Sequence, residues 1–215
     1  MQQTNYWIAI LINIVFLFFS FKLAISTDLI KDDSIQDNKP YSYAKSQLFW
    51  WTVIIISIFI WCAVFGKGIP QLTTLCLALL GISVGTTTAG ALIDNADKNT
   101  INVMRHQDFN NSTSFLRDIL SDKQGNYSIH RFQSLIFNLS IGIIFIWVYI
   151  NQVDKTKFPD FGDNETKYIL GLLGISNLGY AGLKIGENST RKDAINDQQM
   201  QGKTNKEIIA MHKPE

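Results

Sequence analysis

The sequence predicts an all-α fold: a polytopic membrane helical bundle of about five transmembrane helices, in which one extra helix precedes two tandem duplicated helix hairpins. Three observations carry this expectation. Of the 215 residues, 47% are hydrophobic and only 17% charged, and the charges avoid several long stretches. Those stretches reach the ~20 residues that a helix needs to cross a hydrocarbon core. Finally, two segments far apart in the chain repeat one another.

The first apolar stretch, Tyr6 to Leu23, defines an N-terminal transmembrane helix within residues 1–26. Met1 to Tyr6 carries no Lys or Arg and no clear small-residue cleavage site precedes Thr27, so a retained helix is expected rather than a signal peptide. Leu48 to Gly66 and Pro70 to Ile93 form the first hairpin repeat, residues 41–93. A polar loop occupies 94–131. Phe132 to Ile150 and Tyr168 to Ile185 form the second repeat, 127–186, whose leading residues overlap the loop, and 187–215 is a polar tail. Lys22 and Lys184 lie near enough to helix ends to snorkel. Tyr6, Trp7, Trp50, Trp51, Trp61, Trp147, Tyr149 and Tyr168 lie near the ends of the runs, as expected of an interfacial aromatic belt.

With five spans, the loops after the first and third helices and the tail share one side. That side holds 13 Lys and Arg residues against 4 on the other, with Lys22 and Lys184 left out. Positive charge accumulates on the cytoplasmic side, so the N-terminus is expected outside and the C-terminus in the cytoplasm.

The duplication is read residue by residue. Tyr41 to Cys62 aligns with Tyr127 to Val148 at a constant offset of 86, pairing Tyr41 with Tyr127, Ser42 with Ser128, Lys45 with Arg131 and Gln47 with Gln133. Phe59-Ile60-Trp61 then pairs with Phe145-Ile146-Trp147. Leu79 to Ser83 repeats as Leu172 to Ser176 at an offset of 93, the difference falling in the hairpin loop. Each unit holds two helices, so both copies enter the membrane from the same side.

Ala78, Gly81, Gly85 and Ala89 fall within ~80° on a helical wheel, and Gly171, Gly174, Gly179, Gly182 and Gly186 within ~140°. Small residues let helices approach closely in lipid, so these two faces are expected to pack on each other. A pore lining is the alternative, with Ser83 and Thr86 to Thr88 supplying hydroxyls, but three consecutive threonines point ~100° apart and no charge lies in mid-membrane.

Net charge is +1, so no strongly basic surface for nucleic acid is expected. Cys62 and Cys76 fall inside spans, where they read as apolar packing rather than a disulfide or metal site. Gly81-Ile82-Ser83-Val84-Gly85 matches the G-x-S-x-G pattern of serine hydrolases, but His106, His130 and His212 all lie outside the spans and no base is at hand. With no phosphate loop, zinc motif or intramembrane carboxylate pair, neither catalysis nor a cofactor or metal is expected. In the loop, Phe115 to Asp122 is expected to form a short amphipathic helix that caps the bundle at the membrane surface or docks a partner. Phe115, Leu116, Arg117, Asp118 and Asp122, with His130 and Arg131, are the candidate partner-binding residues.

The segments F-L-R-D-I-L-S-D and S-I-H-R-F-Q, within Phe115 to Gln133, and the twice-used L-L-G-I-S resemble a group of small bacterial membrane proteins without an established biochemical role. The resemblance covers roughly residues 41–186. In that group G-I-S-x-G-T stands in both copies, whereas here Gly81 to Thr86 keeps it and the second copy reads Gly174-Ile175-Ser176-Asn177-Leu178-Gly179. The resemblance implies a bacterial inner membrane location and a non-enzymatic role. The expected function is a membrane scaffold or subunit that anchors a partner at the cytoplasmic face, because the most distinctive polar stretch is Asp94 to Arg131 and the membrane core lacks charge; the expected partners are the lipid bilayer and either a second copy of the chain or a cytoplasmic protein. The alternative is a homo-oligomeric channel or passive pore.

Overall fold

A computed structural model describes residues 2–34, 37–66, 68–98, 112, 114–121 and 127–189. Among them six helices and no strand form: α1 (Gln2–Ser26), α2 (Tyr43–Phe65), α3 (Thr74–Lys98), α4 (Phe115–Leu120), α5 (Ile129–Asn151) and α6 (Asp163–Ser189). The chain is a helical membrane bundle. Among the described residues, α1, α2, α3 and α5 are long and apolar enough to cross a membrane. The fifth expected span lies inside α6. At 27 residues α6 reaches ~40 Å, but it opens on Asp163, Glu165 and Lys167 and carries Asn177 and Lys184, so it is more polar than the other four long helices.

α2 pairs with α3 and α5 with α6, and the two hairpins meet through α3 against α6 and α2 against α5. Trp51, Ile54, Ile55, Leu79, Phe145 and Leu173 lie in the core they share. α1 packs mainly on α2, through Tyr6 against Trp61 and Phe65 and Phe21 against Phe49. Trp51 is fully buried in this core, two turns inside α2, and so does not belong to the interfacial belt.

α2 and α5 are built alike at their starts. α2 and α5 are both 23 residues long and their ends differ by the same 86 residues. Ser42 and Ser128 occupy the N-cap positions, both extended. Ahead of each cap the chain is tied back to a preceding strap: the Ser42 amide donates to the Ile30 carbonyl and the Ser128 amide to the Leu120 carbonyl, each at 2.9 Å. Tyr41 bridges Lys31, and Tyr127 bridges Ser121. The segment Asp28 to Lys31 thus occupies the place ahead of α2 that Asp118 to Ser121 occupies ahead of α5, at an offset of 90 rather than 86 because the connection to the helix differs in length.

The third span starts at Thr74 rather than Pro70, because Thr73 Oγ1 accepts the Cys76 amide (3.4 Å) and caps the helix there. The small-residue stripes also need correction. α3 and α6 do pack together, but a Cβ added at Gly81, Gly85, Gly171, Gly174, Gly179 or Gly182 would meet nothing within 4 Å. Ala78 and Ala89 are half-buried, and the surroundings of Gly186 lie outside the described side chains. Buried positions instead include Leu75, Cys76, Leu79, Ser83 and Thr86 on α3 and Leu173 and Asn177 on α6. Wheel geometry finds a small-residue face but cannot say that bulkier residues on an adjacent face make the contact.

The close approach lies between α2 and α5. A Cβ on Gly142 would stand 2.7 Å from Trp50 Nε1 and 2.8 Å from its Cζ2, so only glycine admits that indole. Gly142→Ala is therefore expected to lower stability by about 1–3 kcal/mol through overpacking. Gly85→Ala is expected to be neutral or to raise it by up to about 1 kcal/mol through helix propensity. Thermal unfolding of the purified protein in detergent compares the two.

Candidate functional site: a polar lock and the strap layer beneath it

Tyr43, Gln47 and Trp51 recur at i, i+4 and i+8 and form one stripe of α2, and Ser134 and Asn138 do the same on α5. All five are buried. The Trp51 indole Nε1 donates to Asn138 Oδ1 (2.9 Å), and Asn138 Nδ2 donates to the Tyr43 hydroxyl (3.2 Å) and to the Ser134 carbonyl (2.8 Å). The Tyr43 hydroxyl donates to Ser134 Oγ (2.5 Å), which in turn donates to Asn177 Oδ1 on α6 (3.3 Å). Trp50 Nε1 adds a bond to the Asn138 carbonyl (3.3 Å). An indole nitrogen is only a donor, so Asn138 must turn its oxygen to Trp51 and its nitrogen to Tyr43, which fixes the chain of bonds in one direction. Gln47, Ser83 and Asn177 also bring polar atoms into the interior that have no partner among the described residues.

Ser83 sits in the middle of the continuous helix α3 and is fully buried, without the strand-to-helix turn of a nucleophile elbow. Asn138 and Ser134 lie inside an apolar run, where the sequence alone shows only departures from hydrophobicity. Their partners on α2 are distant in the chain, Trp51 lying 87 residues from Asn138 and Tyr43 91 from Ser134.

At the end of the bundle where α2 and α5 begin, the two straps are knitted together. Asp118 Oδ2 accepts from the Tyr41 amide (3.2 Å) and Ser112 Oγ (2.6 Å), while Asn38 and Ser112 exchange two bonds, at 2.9 and 3.0 Å. Ile119 is buried against Tyr43 and Ala44, and Phe115 meets the Tyr41 ring edge-on. In the first strap the Lys39 ammonium lies 2.6 Å from Asp28 and holds that carboxyl below the usual range, and Lys45 caps the Lys31 carbonyl (2.6 Å).

The candidate partner-binding residues thus divide. Asp118 and Ile119 hold α4 to the bundle, whereas Phe115, Leu116, Arg117 and His130 are exposed at the same end. Arg131 is half-buried, and Asp122 lies outside the described residues. Phe115 and Leu116 also border a groove of about 390 Å³ with Phe21, Tyr43 and Gln47. A second groove of about 670 Å³ continues from it between α1 and α5 over α2, past Trp50, Ile54, Ile58 and Trp61.

Asn138→Ala removes the acceptor of Trp51 and the donor to Tyr43 together and is expected to lower stability by about 1–2 kcal/mol, the upper end for hydrogen bonds between membrane helices. Chemical or thermal unfolding in detergent measures it. No protein-family model matches the chain, and no curated protein or solved structure matches it either.

Proposed function

We propose that this chain is a non-catalytic membrane scaffold or subunit that anchors a protein partner at the cytoplasmic face of a bacterial inner membrane. The carrying observation is α4: it is fixed by Ile119 and Asp118 yet leaves Leu116 and Arg117 exposed. A short helix held by tertiary contacts presents those side chains at little ordering cost, which favours binding. The excess of Lys and Arg around the straps supports the cytoplasmic placement. Leu116→Ala with Arg117→Ala is expected to release a stoichiometric partner from the purified complex while shifting stability by less than about 0.5 kcal/mol, as surface changes do. A partner retained in full by that double variant would contradict the anchor.

The channel reading draws on a different observation, the open glycine faces of α3 and α6. If copies of the chain line a pore with these faces, Gly85→Leu lowers solute flux into liposomes containing inserted protein, and Gly142 plays no part in it. Absence of any flux from folded, inserted protein removes this reading.

A further inference from the structure

Where α2 begins, a polar cavity of about 210 Å³ lies between the first strap, the start of α2 and the last turns of α3. Of its lining residues Asp33 and Asn95 are exposed, Asp32, Lys45 and Thr87 are half-buried, and Ser42, Gly90 and Asp94 are buried, so it deepens from an open rim to a closed floor. Ala44 and Gly90, facing it from α2 and α3, are too small to fill it.

Ser42 is the N-cap of α2 and only 3% exposed, yet its side chain caps nothing and bonds to no described residue. Ser114 and Ser128 hold the same position on α4 and α5, and each accepts the amide three residues on, from Arg117 and from Arg131. A buried hydroxyl withdrawn from its cap is costly unless something else bonds to it. Ser42 lines the cavity, so that partner comes from within it. The Asp32 carboxylate on the strap makes no side-chain bond to a described residue either.

Charge decides what enters. The carboxylates of Asp32, Asp33 and Asp94 face one ammonium, that of Lys45, which donates to the Lys31 carbonyl (2.6 Å). The Thr87 hydroxyl is taken up by the carbonyls of Ser83 (2.9 Å) and Ala44 (3.2 Å). What remains is negative in sum and accepts hydrogen bonds. Among the described residues no three carboxyl, imidazole or thiol groups stand close enough together to ligate a metal ion, as a divalent cation would require. An ammonium, which spreads one charge over three N–H donors, suits separated acceptors better.

We propose that this cavity binds a primary ammonium group, with Ser42 Oγ accepting one N–H and the carboxylates of Asp32 and Asp94 balancing the charge. Its volume equals that of about seven waters at ~30 Å³ each, which accommodates an amine of the size of ethanolamine. Such a group comes from a free small amine or from the ethanolamine headgroup of a phospholipid, because the cavity lies at the end of a helix long and apolar enough to cross a membrane. The inference stands on the cavity and does not depend on the scaffold reading.

The full-length protein in phosphatidylcholine nanodiscs, whose quaternary headgroups carry no N–H, is titrated calorimetrically with ethanolamine and with choline at constant ionic strength. The expected result is saturable binding of one ethanolamine per chain, with choline at least about tenfold weaker. Ser42→Ala is expected to weaken ethanolamine binding about tenfold without lowering the melting temperature, since no cap bond is lost, whereas Ser128→Ala leaves the binding intact. Adding phosphatidylethanolamine to the nanodiscs separates the sources: competition with ethanolamine supports the lipid headgroup, and an unchanged affinity supports a free amine. No saturable ethanolamine binding to folded protein, equal binding of choline, or binding that Ser42→Ala leaves unchanged overturns the proposal.

Discussion

Asn138 on α5 receives the Trp51 indole and gives its amide to the Tyr43 hydroxyl, so a single polar side chain joins two helices that begin 86 residues apart. In lipid there is no hydrophobic drive to bring helices together, and association rests on packing and on hydrogen bonds that have no water to replace them. Both act at the same place here: Gly142 lets the Trp50 ring come against α5, one turn from the bond between Trp50 and the Asn138 carbonyl. The extension through Ser134 to Asn177 reaches α6, so three of the helices are oriented by one chain of donors and acceptors. The hairpins can pair in one register only, because a shift by a single residue would turn Asn138 away from Trp51 and strand both groups.

The straps follow from that register. Once α2 and α5 are side by side, Tyr41 and the Asp118 carboxylate lie close enough to bond, and Ile119 finds the surface formed by Tyr43 and Ala44. Each hairpin thereby closes the end of the other. The layer leaves the outer face of α4 free to meet something else, and this is why the same six residues serve as a cap and as a candidate docking platform.

Much of this was legible in the sequence. The long apolar runs mark the helices, and the match of Tyr41 to Cys62 with Tyr127 to Val148 leads one to expect that α2 and α5 start and end alike, as they do. What escaped was which side chains touch. Gly81 and Gly85 advertise close packing more loudly than Gly142, yet only Gly142 has a ring against it, because its partner Trp50 is set by tertiary register rather than by local spacing. Trp51 looked interfacial from its position in the run and is buried because α2 starts earlier, at Tyr43. The first strap is not legible in the sequence because Asp28 to Lys31 and Asp118 to Ser121 share little beyond an aspartate and two aliphatic residues, and what makes them alike is the bonds their Ile30 and Leu120 carbonyls accept.

One hairpin of the bundle carries α1, and the other carries the short helix α4 ahead of α5. That picture depends on the lock between α2 and α5. A double-mutant cycle on Trp51→Phe and Asn138→Ala, read as unfolding free energies in one detergent, tests it most directly. The account predicts that the two substitutions are coupled by at least about 0.6 kcal/mol, the mean for such bonds in membrane proteins. Strict additivity would mean that the indole and the amide act independently, and would contradict the lock.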